Sequence, residues 1–211
     1  MRLDERKEGI LDFIVRDYVR TACPISSLRV SDKKNLNLSP ASIRNIMLEL
    51  DEDGFLYQPY ISAGRAPTEK GYCYFVENLM RQKNISENVK AEFDEIFSKF
   101  LGDAIFEELT SLMAERFKLF SGVLAEGRVW KRGFAEVLKE PEFKEQDFLL
   151  EFAGFADNVE EQIEKLNGIN IGEFSVVSSK FGPNHFVFLA GPKRMDYEKA
   201  SAIIKFIANQ L

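Results

Sequence analysis

The chain has 211 residues, 45% of them hydrophobic and 29% charged, with a net charge of -6 and two cysteines. That composition excludes a disordered tail and a disulfide-stapled module, and it leaves room for two small globular domains. The acidic balance also argues against indiscriminate nucleic-acid binding. Residues 1–80 carry 11 Lys and Arg against 12 Asp and Glu, and the remainder 17 against 22.

No apolar run approaches the length of a membrane span, and the first thirty residues, charged throughout, do not read as a signal peptide. Cys23 and Cys73 lack C-x-x-C spacing, so a reducing cytoplasm is the expected compartment. Nineteen Phe are many for this length, and most should be core.

In chain order, residues 4–20 form an amphipathic helix with Ile10, Leu11, Ile14, Val15 and Val19 inward. Pro24-Ile25 breaks the chain, and Ser26 or Ser27 caps a short second helix that runs to about Lys33. Residues 35–38 make a turn. Ser39 then caps a third helix with Pro40 at its first position, and Ile43, Ile46, Met47 and Leu50 define a buried stripe. Opposite that stripe lie Ala41, Asn45 and Leu48, with Ser42 and Arg44 on its flanks. Gly54 stops the helix, Phe55, Leu56 and Tyr57 start a strand, and residues 62–65 turn the chain back. A helix with small and polar residues in its first turns, followed by a hairpin bearing Arg beside Gly, is the pattern of a winged helix-turn-helix. Such a helix enters the DNA major groove, and the wing arginine reaches phosphate or the minor groove. Thr68 caps a fourth helix with Tyr72, Phe75, Val76 and Leu79 on one face.

The polar residues 81–85 make the best boundary, and Ser86 opens a long helical pattern that Gly102-Asp103 interrupts or bends. Its apolar stripe is either core or a dimer seam. Residues 117–131 are a helix end or two short strands around Gly122 and Gly127. A short helix follows at 133–139 and another helix at 147–166. Residues 172–181 and 184–189 flank Gly182-Pro183 as a β-hairpin, and Asp196 caps a final helix with Ala200, Ile203, Ile204 and Ile207 inward. The second half is thus α+β.

Catalytic chemistry is not visible. His185 is the single histidine and sits in a strand among apolar residues, which points to a structural role. There is no Ser-His-Asp set, no Cys/His metal spacing and no phosphate-binding glycine loop. The acidic cluster Asp51-Glu52-Asp53 opposes the helix dipole and reads as a solvated turn. No catalytic residue, metal or cofactor is expected.

The stretch LSPASIRNIMLELDEDGFLYQPYISAGRAPTEKGY resembles the DNA-binding domain of the HrcA family, the heat-inducible transcription repressors of bacteria. The family pattern is met at residues 39–45, at Gln58-Pro59, at residues 62–68 and at Gly71-Tyr72. The similarity resumes in GPKRMDYEKASAIIKFIANQL at the end and touches LKEPEF at 138–143. Tyr60 and Ile61 depart from the His-Thr usual in the family, and Ile46 stands where an acidic residue is common. The resemblance implies an α+β protein with a winged helix-turn-helix at 1–80, a linker or dimerisation helix at 81–116 and a reduced GAF-like domain at 117–211. The family's inserted dimerisation segment has no counterpart in a chain of this length.

The expected function is a homodimeric repressor of chaperone genes that binds an inverted-repeat operator in double-stranded DNA, cytoplasmic and nucleoid-associated, with chaperonin as a folding partner. The DNA contacts expected are Ser39, Ala41, Ser42, Arg44 and Asn45 on the third helix, Gly64 and Arg65 on the wing, and Ser27, Arg29 and Lys33 as phosphate contacts from the second helix. Gly64, Gly71 and Pro67 also read as architectural. The alternatives are a winged-helix protein-interaction module that has lost DNA binding, or a ligand-responsive regulator.

Overall fold

Asp4 starts helix α1 (Glu5–Thr21) by accepting hydrogen bonds from the amides of Arg6 and Lys7, and Ile10, Leu11, Ile14 and Val15 are buried along its stripe. Val19 is only half-buried; the helix instead turns Asp12 and Asp17 inward. The computed structural model describes residues 2–32 and 38–211. It divides into one unit up to Met80 and another from Arg81 onward.

In the first unit, Ser26 rather than Ser27 caps helix α2 (Ser27–Ser31), accepting from the Arg29 amide. Lys33 and the turn expected from residue 35 onward lie outside the described residues, apart from Leu38. Helix α3 (Pro40–Glu52) begins at the Ser39 cap and ends at Gly54, whose φ of 77° is one that a side chain would resist. Ile43, Met47 and Leu50 are buried, while Ile46 is half-exposed, so the inward stripe is narrower than its periodicity suggests. Strands β1 (Leu56–Tyr57) and β2 (Ala66–Pro67) pair antiparallel as the wing, and Ile25 bridges Arg65 as a third short rung. Thr68 caps helix α4 (Glu69–Tyr74), which runs into a π-helical turn at Phe75–Leu79. This is a winged helix-turn-helix. Leu3 is tied back onto it by Tyr74, whose hydroxyl accepts from the Leu3 amide and donates to Glu8.

The second unit is α+β. The long helical pattern is two helices, α5 (Glu87–Lys99) and α6 (Asp103–Phe117), separated at Gly102. The ambiguous stretch after them is a strand pair, β3 (Phe120–Ala125) and β4 (Arg128–Arg132). Short helix α7 (Phe134–Val137) and a 3-10 turn (Pro141–Lys144) lead to α8 (Gln146–Asp157). Asn158 breaks what periodicity had joined, and α9 (Val159–Ile163) follows. Strand β5 (Gly168–Ile171), not anticipated, pairs with β6 (Phe174–Gly182), which forms the expected hairpin with β7 (His185–Pro192). The result is a five-stranded antiparallel sheet in the order β4-β3-β7-β6-β5, closed by helix α10 (Tyr197–Gln210).

Helices pack on both faces of this sheet. On one, Ser121 donates to the Thr110 carbonyl of α6, Phe106 meets Trp130 at 4.8 Å, and the Ser175 and Tyr197 hydroxyls join β6 to α10 at 2.7 Å. On the other, the surplus of Phe is concentrated. Phe152 of α8 lies 4.9 Å from Phe143, 5.2 Å from Phe174 and 5.9 Å from Phe120, each edge-to-face. Arg194, after β7, pairs with Glu140 and Glu142 beside the 3-10 turn. His185 Nε2 accepts from the Glu126 amide and so closes the β3–β4 turn, a structural role.

Because Phe152 is fully buried at the centre of that aromatic cluster, Phe152→Ala should cost about 3–5 kcal/mol. Urea unfolding followed by the emission of Trp130, the single tryptophan, reads this directly.

Candidate nucleic-acid interface

Helix α3 is chemically divided along its length. Its first turns hold no acidic residue, and Ala41, Ser42, Arg44 and Asn45 are all exposed. Ser39 is occupied as the cap. It accepts from the Ser42 amide at 3.1 Å, and the two hydroxyls meet at 2.9 Å. Among the described residues, neither Arg44 nor Asn45 has a side-chain partner within the protein. Both are left for an external one. Pro40 has no amide hydrogen and the Ser42 and Ile43 amides donate to Ser39, so this end offers phosphate the Ala41 amide and the partial positive charge of the helix.

The carboxy-terminal half is acidic, and Glu49, Asp51 and Asp53 are engaged while Glu52 is exposed. Lys7 of α1 reaches Glu49 at 3.0 Å and Asp53 at 3.1 Å, and those two acceptors hold the ammonium above its ordinary pKa range, Glu49 contributing most. Asp51 meets Arg65 Nε at 2.7 Å as an ion pair. The cluster Asp51-Glu52-Asp53 is therefore not a solvated turn. Two of its three members clamp the helix to α1 and to the wing.

Arg65 consequently stands elsewhere than the sequence suggested. Its side chain is 13% exposed, and its backbone exchanges two hydrogen bonds of 2.9 Å with Ile25. It lies at the base of the wing, not the tip. Gly64 is here for room: a Cβ would sit 2.3 Å from the carbonyl carbon and oxygen of Ile25, which as backbone cannot yield. The exposed tip is formed by Tyr60, Ile61 and Ser62.

In α2, Ser27 is half-buried and Arg29 half-exposed. Both Arg29 and Arg20 donate to Asp17, Arg20 at 2.5 Å and Arg29 through two nitrogens. Arg29 above all, then Arg20, holds this carboxyl below its ordinary range against the burial that would raise it. The triad locks α2 against α1. Sequence reasoning missed Asp17 altogether. The signal was present, since Asp17 falls three residues after Ile14 on an otherwise apolar stripe.

No protein-family profile matches the chain. The heat-inducible transcription repressor HrcA of Thermoanaerobacter sp. (strain X514) is 44% identical over 109 residues, 47% of this chain and 32% of its own length. That of Acetivibrio thermocellus is 44% identical over 116 residues, 54% of this chain and 31% of its own. That of Desulfitobacterium hafniense is 39% identical over 121 residues, 57% of this chain and 34% of its own. The chain is HrcA-like over about half its length. It spans about a third of the length of these HrcA relatives. A crystal structure of a hypothetical protein at 2.2 Å resolution shares the fold, with a TM-score of 0.76 and 19% identity, covering 99% of this chain and 97% of its own. No helix among the described residues is long and apolar enough to cross a membrane, and no group of three or more His, Cys, Asp or Glu among them could hold a metal.

The Asp17 triad has a pH signature. Because folding lowers the Asp17 pKa, the triad's stabilisation is complete above the unfolded titration near about pH 4 and vanishes as pH falls through the lower folded value. Both guanidiniums face solvent, so the triad contributes less than a sealed ion pair would. Asp17→Asn should lower the melting temperature at pH 7, and the two proteins should converge as pH falls through the lowered Asp17 titration in a series of thermal melts.

Proposed function

We propose that this chain is a sequence-specific DNA-binding transcription repressor, with α3 as the helix that enters the major groove. The observation that carries the reading is the unpartnered face of α3. Ala41, Ser42, Arg44 and Asn45 are exposed on a helix whose Glu49 and Asp51 are paired with cations of the same unit. Similarity to HrcA repressors supports the same assignment.

Asn45 is suited to a bidentate contact with adenine and Arg44 to one with guanine. Ser39, Ser42 and the Ala41 amide hold phosphate at the start of α3, and Ser27, Arg29 and Lys33 supply phosphate contacts from the preceding segment. Gly64 and Arg65 serve the interface from within, by setting the wing against Ile25 and α3. Reading an inverted repeat requires two copies of α3, so the acting species is a homodimer. The likeness extends the proposal to operators of chaperone genes, to chaperonin as the folding partner and to a cytoplasmic, nucleoid-associated site of action. Repression would follow from occupancy of the promoter, without catalysis.

Fluorescence anisotropy on a duplex carrying the inverted repeat of HrcA operators, beside a scrambled duplex and across a salt series, tests this. Asn45→Ala should relax discrimination at one base pair by about 1–3 kcal/mol. Arg44→Ala should weaken binding and reduce the salt slope by about one. Equal affinity for both duplexes, unchanged in the two variants, would favour the reading as a protein-interaction module, which the net acidity of the first 80 residues otherwise recommends.

A further inference from the structure

The wing tip carries an unusual chemistry. Residues 58–64, Gln-Pro-Tyr-Ile-Ser-Ala-Gly, contain no charge at all. Ile61 is 93% exposed and Tyr60 66%, the two highest values among the described large apolar side chains of the first unit, with Leu28 next at 65%. A tip without cations cannot neutralise phosphate, and two adjacent large apolar groups in water are costly unless something covers them.

The tip is also stiff. Gln58 Nε2 spans the hairpin to the Ala63 carbonyl at 2.9 Å, the Ala63 amide returns to the Tyr60 carbonyl at 3.0 Å, and Ser62 takes a left-handed φ of 71° between them. At its base, the Ile25 bridge ties the wing to the segment before α2, and the Arg65–Asp51 ion pair ties it to α3. Whatever α3 docks against, the tip is held at a set angle beside it. Proteins that bind the minor groove frequently insert apolar side chains between base steps and partly unstack them.

We propose that Ile61, backed by Tyr60, is an apolar minor-groove wedge that partly unstacks one base step next to the site read by α3. Specificity then comes in part from deformability, because flexible pyrimidine–purine steps open at least cost. This rests on the DNA-binding reading above, and the experiment separates the two. The full-length wild-type chain selects its duplex from a random pool. 2-Aminopurine is then placed in turn at the steps flanking the selected half-site. Binding of the wild-type chain should raise 2-aminopurine emission at one flanking step. Ile61→Ala should abolish that rise and bind about tenfold more weakly. Its slope of affinity against salt should stay that of the wild type, whereas Arg44→Ala changes the slope. Ile61 is exposed, so the substitution leaves the fold intact, which far-UV circular dichroism checks. If a duplex is selected but emission stays flat at every step, or Ile61→Ala binds it as the wild type does, the wedge is overturned and the repressor reading stands. If no duplex is selected, both fall.

Discussion

The ion pairs at the carboxy-terminal half of α3 are the constraint on which the first unit depends. Lys7 grips Glu49 and Asp53 from α1, and Arg65 grips Asp51 from the wing. A helix ending in four carboxylates within five residues would ordinarily suffer from its own dipole. Here the surrounding cations offset that cost and fix where the helix points. The Asp17 triad repeats the device one element earlier, locking α2 onto α1. Packing of Ile43, Met47 and Leu50 supplies the adhesion; the ion pairs supply the angle.

This arrangement resolves an apparent conflict in the composition. A DNA-reading unit with slightly more acid than base looks ill-suited to a polyanion. Lys7, Arg29 and Arg65 are, however, structural cations, each paired with a carboxylate of the same unit. What remains outward on the first turns of α3 is mostly small and polar, with Arg44 as its one charge. Affinity must then rest on the helix terminus, a few base contacts and the shape of the wing rather than on bulk charge. Such an interface gains selectivity, because a generic phosphate lattice offers it little.

The elements most legible in the sequence were those with local punctuation. Ser39-Pro40 and Gly54 bracket α3, and Thr68 and Asp196 cap their helices as expected. Other features depend on distant partners and leave little local trace. Arg65 reads as a tip residue until Ile25, forty positions earlier, is seen bridging it. Strand β5 is four residues beside glycines, too short for alternation to declare itself. Helices α8 and α9 share one period, and only Asn158 separates them. In the second unit the two stretches that resemble the HrcA family, at 138–143 and 191–211, prove to be neighbours in space through Arg194, Glu140 and Glu142. The exposed face of α3 could be named residue by residue because helical spacing alone determines it. The wing could not, since its geometry is set by side chains outside it.

The central claim is that α3 and the wing tip together form one nucleic-acid surface, held by internal ion pairs. Hydrogen exchange of the full-length chain, with and without its selected duplex, tests that most directly. Protection should rise over residues 39–48 and 58–63 together and fade in both under high salt, with the sheet of the second unit unchanged. Protection confined to the second unit, or absent from both segments of the first, would contradict the account.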